Sequence, residues 1–268
     1  MAYSEEDVQD LIEILREQPK DSEKWHLLGV MFISLNRLED AEKAFKHCLK
    51  LDKENAMALG DLGGLYIVKG KSKDAIKNLN LSLKIKPEKH EFWYTLGVAY
   101  LHSSKFKDAA RAFLRSLELV PNYYDALVSL GITYNKIELW KEAEVPLRQA
   151  MEMKPDNYNV LKALARALMK MKKTRELETI YRQMYDLNPD EHSILLYLGQ
   201  IAFNDGRLEE GINQYKQVIQ KDPESLMAWK MLGETYDKVG LVEEAKLAFS
   251  KHSELMEKLK KAGGIWGG

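Results

Sequence analysis

The chain has 268 residues, 45% of them hydrophobic and 30% charged, and its 40 Lys and Arg against 41 Asp and Glu leave a formal net charge of -1. That balance excludes a disordered or collagen-like chain and supplies no global field for nucleic acid or anionic lipid, so electrostatic recognition must be local. A single cysteine, Cys48, excludes an intrachain disulfide, and 7 Pro with 16 Gly are too few for a chain of frequent tight β turns, which favours helix.

The first residues, Met1 to Asp7, are acidic and lack a basic stretch followed by an apolar one, so no secretory signal is read. No apolar run approaches the roughly 20 residues of a membrane helix, and a cytoplasmic location is expected. Ser4 with Asp7 has the spacing of a capping box, which predicts a helix carrying Val8, Leu11, Ile12 and Leu15 and ending at Pro19. Residues 1–21 are therefore expected to form an N-terminal capping helix.

From residue 22 onward the chain keeps a period of 34 residues. Trp25, Leu59, Trp93, Leu127, Leu161, Leu195 and Trp229 share one phase. Leu28, Leu62, Leu96, Leu130, Leu164, Leu198 and Leu232 follow three residues later, each before a small residue: Gly29, Gly63, Gly97, Gly131, Ala165, Gly199 and Gly233. Aromatic residues recur next (Phe32, Tyr66, Tyr100, Tyr134, Tyr236), then Ala41, Ala75, Ala109, Ala143 and Ala245, with Phe45, Leu79, Phe113, Leu147, Tyr181, Tyr215 and Phe249 in the second half of each unit. Within a unit the apolar residues follow helical periodicity, so each unit reads as two antiparallel amphipathic helices. The small residue lets the helices approach and the large side chain fills the space beside it. Gly70, Gly206 and Gly240 fall in the turns, where a positive φ is cheapest for glycine, and Pro19, Pro87, Pro121, Pro155, Pro189 and Pro223 stop the second helices. Pro146 falls inside a second helix and is expected to kink it.

These residues resemble the tetratricopeptide repeat (TPR) family, whose signature is W-x2-L-G-x2-Y followed by A-x3-F and P. Seven units fit without an insertion, at 22–55, 56–89, 90–123, 124–157, 158–191, 192–225 and 226–259, followed by a Gly-rich tail at 260–268. Units five and six depart most, with Ala165, Leu177, Ala202 and Gly211 where the pattern prefers Gly, Ala, Tyr and Ala. The resemblance implies an all-α, right-handed α-solenoid of seven tandem helix-turn-helix repeats whose concave face is lined by the first helices. The N-terminal helix then reads as the second half of a missing first repeat, and the last helix is expected to continue through Leu259 and Lys261 to Gly263-Gly264.

Catalytic chemistry finds no support. The string Gly64 to Ser72 looks like a phosphate-binding loop but has one residue too many between its glycines and lies at a helix–helix turn. The six histidines show no metal-ligand spacing, and Cys48 stands where Ser82, Ser116 and Ala150 stand in other units, a core position. No enzyme, cofactor or metal is expected.

The resemblance places ligand contacts at positions two, five, six, nine, twelve and thirteen of each repeat. In repeats one to four the groove is expected to be small or apolar, and His26, Val30, Tyr94, Val98, Val128 and Ile132 are the candidates there, suiting an apolar helix or extended peptide. The alternative is that neighbouring first helices pack on one another at the same place. Repeat five instead presents Lys162, Arg166 and Lys170 on one helix face, with Gln200 in the next repeat, which suits an acidic segment or is an ordinary solvated face. The set of Lys, Asn and Arg by which some TPR proteins clamp a chaperone C-terminus is missing from every three consecutive repeats. RNA is disfavoured, because basic and stacking residues do not recur every 34 positions. The expected function is a non-enzymatic scaffold binding a partner peptide or helix in the groove. The alternative is a self-assembling structural protein that inserts Trp266 or the front helix into a neighbouring copy. In that direction, the stretch from Pro146 to Val160 is similar over about one repeat to magnetosome-associated TPR proteins.

Overall fold

The computed structural model describes residues 3–261. The calls on Gly263-Gly264 and Trp266 lie outside those residues. Among the described residues there are fifteen helices and no strand: α1 (Glu5–Glu17), α2 (Ser22–Ser34), α3 (Leu38–Leu51), α4 (Ala56–Val68), α5 (Ser72–Ile85), α6 (His90–His102), α7 (Phe106–Leu119), α8 (Tyr124–Lys136), α9 (Trp140–Met153), α10 (Tyr158–Lys170), α11 (Thr174–Leu187), α12 (Ser193–Asn204), α13 (Leu208–Lys221), α14 (Leu226–Val239) and α15 (Val242–Lys261). They divide into two compact units, Met1–Met153 and Lys154–Gly268. In the first, α1 packs on α2 and is followed by the pairs α2/α3, α4/α5, α6/α7 and α8/α9. In the second, α10/α11, α12/α13 and α14/α15 pair in the same way. Each unit is thus a stretch of all-α solenoid.

The recurring residues each have a physical task. A Cβ added at Gly29 would lie 2.4 Å from the Phe45 ring, and one at Gly97 would lie 2.4 Å from Phe113, so only glycine permits these helix approaches. Trp25, Trp93 and Trp229 donate their indole N–H to the carbonyls of Pro19, Pro87 and Pro223 at 2.8–2.9 Å, which fixes each first helix on the end of the preceding one. Ser82 and Ser116 donate to the carbonyls of Ala56 and His90 at 2.7 and 2.9 Å, tying the two helices of a pair together. Cys48 occupies the same register position, fully buried.

The turns hold a regularity that glycine alone did not reveal. Gly70, Gly206 and Gly240 have positive φ, as expected, but so do Asn36, Ser104, Glu138 and Lys172, at the same point of the other repeats. In all seven turns the following N–H reaches back five residues to a helix carbonyl, from Arg37 to Phe32 and from Leu139 to Tyr134 for example, at 2.8 and 3.0 Å. This is the Schellman closure, which requires the left-handed residue whatever its side chain.

At the front, Ser4 and Asp7 form the reciprocal capping box, and Val8, Leu11 and Leu15 are buried. Pro146 is buried within α9, which runs unbroken to Met153. The final helix continues to Lys261.

Candidate functional site

In the first unit the first helices α2, α4 and α6 lie side by side. Their residues show both packing and open space. At Gly60 an added Cβ would fall 2.3 Å from the Phe92 ring, so α4 and α6 are in close contact there. One turn further on, at Gly64, the nearest atom to an added Cβ is Thr95 Cγ2 at 3.9 Å. The helices diverge enough to leave a cavity of about 370 Å³ lined by Val30 and Ile33 from α2, Gly60, Asp61, Gly64 and Val68 from α4, and Glu91, Phe92 and Thr95 from α6, with Leu38, Phe45 and Leu65 also in its lining. Ile33 and Val68 are exposed, Val68 at 70%.

Of the residues singled out from the sequence, Val30 lines this cavity directly. His26 lies beside it, its Nε2 2.7 Å from Asp61 Oδ2 across α2 and α4. Tyr94 packs against Phe113 and Tyr123, with ring centroids 5.7 and 5.2 Å apart, and Val98 packs on the cluster around Phe113 and Leu130. Val128 and Ile132 are half-buried on α8. Asp61, Val68, Glu91 and Thr95 stand at register positions six, thirteen, two and six but were not singled out, and the two acids correct the expectation of a small or apolar groove in repeats one to four. Only the offset between neighbouring helices decides which side chains border a gap.

In the second unit Lys162, Arg166 and Lys170 are exposed along α10. Gln200 is half-buried and donates to Asn204 at 3.1 Å. Tyr197, at register position six and 51% exposed, stacks on Tyr181 with centroids 5.1 Å apart and planes at 14°, an aromatic platform the sequence reading did not single out. Lys238 Nζ sits 4.2 Å over the Phe203 ring. The register positions expected to contact a ligand differ in sign between the two units. Glu23, Asp61, Glu91 and Asp125 against Lys136 occupy them in the first unit; Lys162, Arg166, Lys170, Lys230 and Lys238 against Glu234 and Asp237 occupy them in the second.

Burial pushes the Cys48 thiol up to about 11, with Asp52 adding to the effect, so a neutral core thiol is the stable form. No group of three or more His, Cys, Asp or Glu among the described residues is arranged to hold a metal ion. No helix among them is long and apolar enough to cross a membrane.

The fold and this surface define a helical-repeat protein of the protein-interaction scaffold type. Tetratricopeptide-repeat models match residues 23–55, 90–123 and 162–215. Those stretches of the chain are tetratricopeptide repeats. No curated protein matches it. Among solved structures it is similar to YrrB, a TPR protein with an unusual peptide-binding site, at 20% identity over 74% of this chain and 97% of that one, with a TM-score of 0.62. It is similar to MamA at 23% identity over 68% and 100%, TM-score 0.60. A tetratricopeptide repeat protein from Parabacteroides merdae aligns at 16% identity over 87% and 93%, TM-score 0.57. At these identities the likeness is one of fold.

Proposed function

We infer that the chain is a non-enzymatic scaffold that binds segments of partner proteins on its first-helix faces. The observation that carries this reading is the cavity at Gly64, where exposed Ile33 and Val68 border unfilled space instead of packing on a neighbouring helix. Exposed apolar groups around a gap favour an apolar occupant, because covering them removes about 25 cal/mol of unfavourable hydration per Å². In the second unit, exposed Lys162, Arg166 and Lys170 suit an acidic segment. YrrB offers a TPR precedent for peptide binding. A comparison of proteins retained by the wild type, by Gly64→Phe and by a triple charge reversal at Lys162, Arg166 and Lys170 tests the reading. Each variant is expected to lose a distinct subset, and an unchanged set with both would overturn it.

A second reading, self-assembly, is favoured by one observation. Phe249 is 38% exposed, whereas Phe45, Leu79, Phe113, Leu147 and Tyr215 at the same register position are at 0%. With Met256 at 38% and Leu259 at 51%, it leaves an open apolar face on α15. Light scattering over a concentration series is expected to show association that Phe249→Lys removes; a monomer at every concentration rejects this reading.

A further inference from the structure

We propose that the occupant of the first unit's cavity is a segment pairing a bulky apolar residue with a lysine or arginine. This rests on the groove reading above and adds the chemistry of the ligand. The cavity wall carries two carboxylates, Asp61 and Glu91, and its lining contains no lysine or arginine. Their side chains are 33% and 55% exposed, so water satisfies them while the site is open. Each touches a histidine at its rim, Asp61 the Nε2 of His26 at 2.7 Å and Glu91 the Nε2 of His90 at 3.3 Å.

A purely apolar segment seated against Val30, Ile33 and Val68 would strip water from both carboxylates and return nothing, which penalises it. An acidic segment would add repulsion. A segment that places an ammonium or guanidinium beside the carboxylates keeps the apolar gain and offsets their lost hydration with a permanent opposite charge, so the two acids select among apolar ligands by rejection as much as by attraction. In the second unit the positions of Asp61 and Glu91 carry no charge, and Lys162, Arg166, Lys170, Lys230 and Lys238 at positions five, nine and thirteen would repel this segment.

The test is to pan a library of short random peptides against the whole chain and measure binding of the enriched peptides by fluorescence polarisation. Gly64→Phe directs a ring into the cavity from a position where an added Cβ meets nothing closer than 3.9 Å, and unchanged thermal unfolding confirms that the variant folds. Peptides that Gly64→Phe abolishes are expected to contain an apolar residue beside Lys or Arg. Asp61→Asn with Glu91→Gln should weaken them about tenfold and flatten their salt dependence. If the Gly64→Phe-sensitive peptides lack basic residues and bind the doubly neutralised variant equally well, the charge selection is wrong while the groove reading stands. If no enriched peptide is sensitive to Gly64→Phe, the groove reading falls and this inference with it.

Discussion

Glu138 and Lys172 hold left-handed backbone, at φ 62° and 59°, that an L-residue occupies at a cost of about 1–2 kcal/mol. Glycine stands at the same point in three other turns, so Glu138→Gly and Lys172→Gly are each expected to raise stability by about 0.5–1 kcal/mol in urea unfolding. A loss of stability would show that these side chains contribute more than the backbone costs. Cys48 offers a second test at this scale. Its buried thiol should resist thiol reagents until the chain unfolds, and Cys48→Ser should be nearly neutral, because Ser82 and Ser116 already bond a first-helix carbonyl from that position. The Trp, Gly and Pro positions were legible in the sequence because each has one steric or hydrogen-bonding task that few residues perform. The four non-glycine turn residues were not, since the closure bond imposes the conformation and leaves no mark on the side chain.

Between elements, the closest constraint is the glycine under each ring. Gly29→Ala and Gly97→Ala would drive a methyl into Phe45 or Phe113 and should cost about 1–3 kcal/mol in thermal unfolding, whereas Gly64→Ala, pointing into open space, should be neutral or stabilising. Equal effects at all three sites would contradict the packing described. Ion pairs link successive helix pairs in the same register. Glu42 meets Lys46 and Lys69 at 2.7 and 2.5 Å, and Glu178 meets Arg182 and Arg207 at 2.7 and 2.8 Å. Hydrogen bonds from Lys46 and then Lys69 hold the Glu42 carboxyl down at about 2, below its ordinary 4.5. Because the folded value is depressed, the contribution is complete above the unfolded value and is lost as pH falls from about 5 toward 2. Glu42→Gln should reduce the difference in stability between pH 7 and pH 3 by roughly 1–2 kcal/mol, after allowing for screening at the half-exposed Lys46. An identical pH profile would show that the pair contributes nothing to folding.

For the molecule as a whole, the 34-residue register made the fold class readable, and it runs unchanged through the boundary between Met153 and Lys154 where the chain divides into two units. That division was therefore invisible in the pattern. The surface was half legible. Val30 and the basic run on α10 stood out by residue type, but Asp61 and Glu91, though at register positions six and two, looked like ordinary solvated acids until neighbouring helices placed them on one cavity. The central claim is that the first-helix face of the first unit receives a partner segment. Methyl NMR of the full chain, titrated with a peptide selected on it, tests this most directly. The account predicts that the methyl signals of Val30, Ile33 and Val68 shift with the peptide while those of Leu114 and Val145, on second helices, stay in place. Shifts confined to Leu114 and Val145, with Val30, Ile33 and Val68 unmoved, would contradict it.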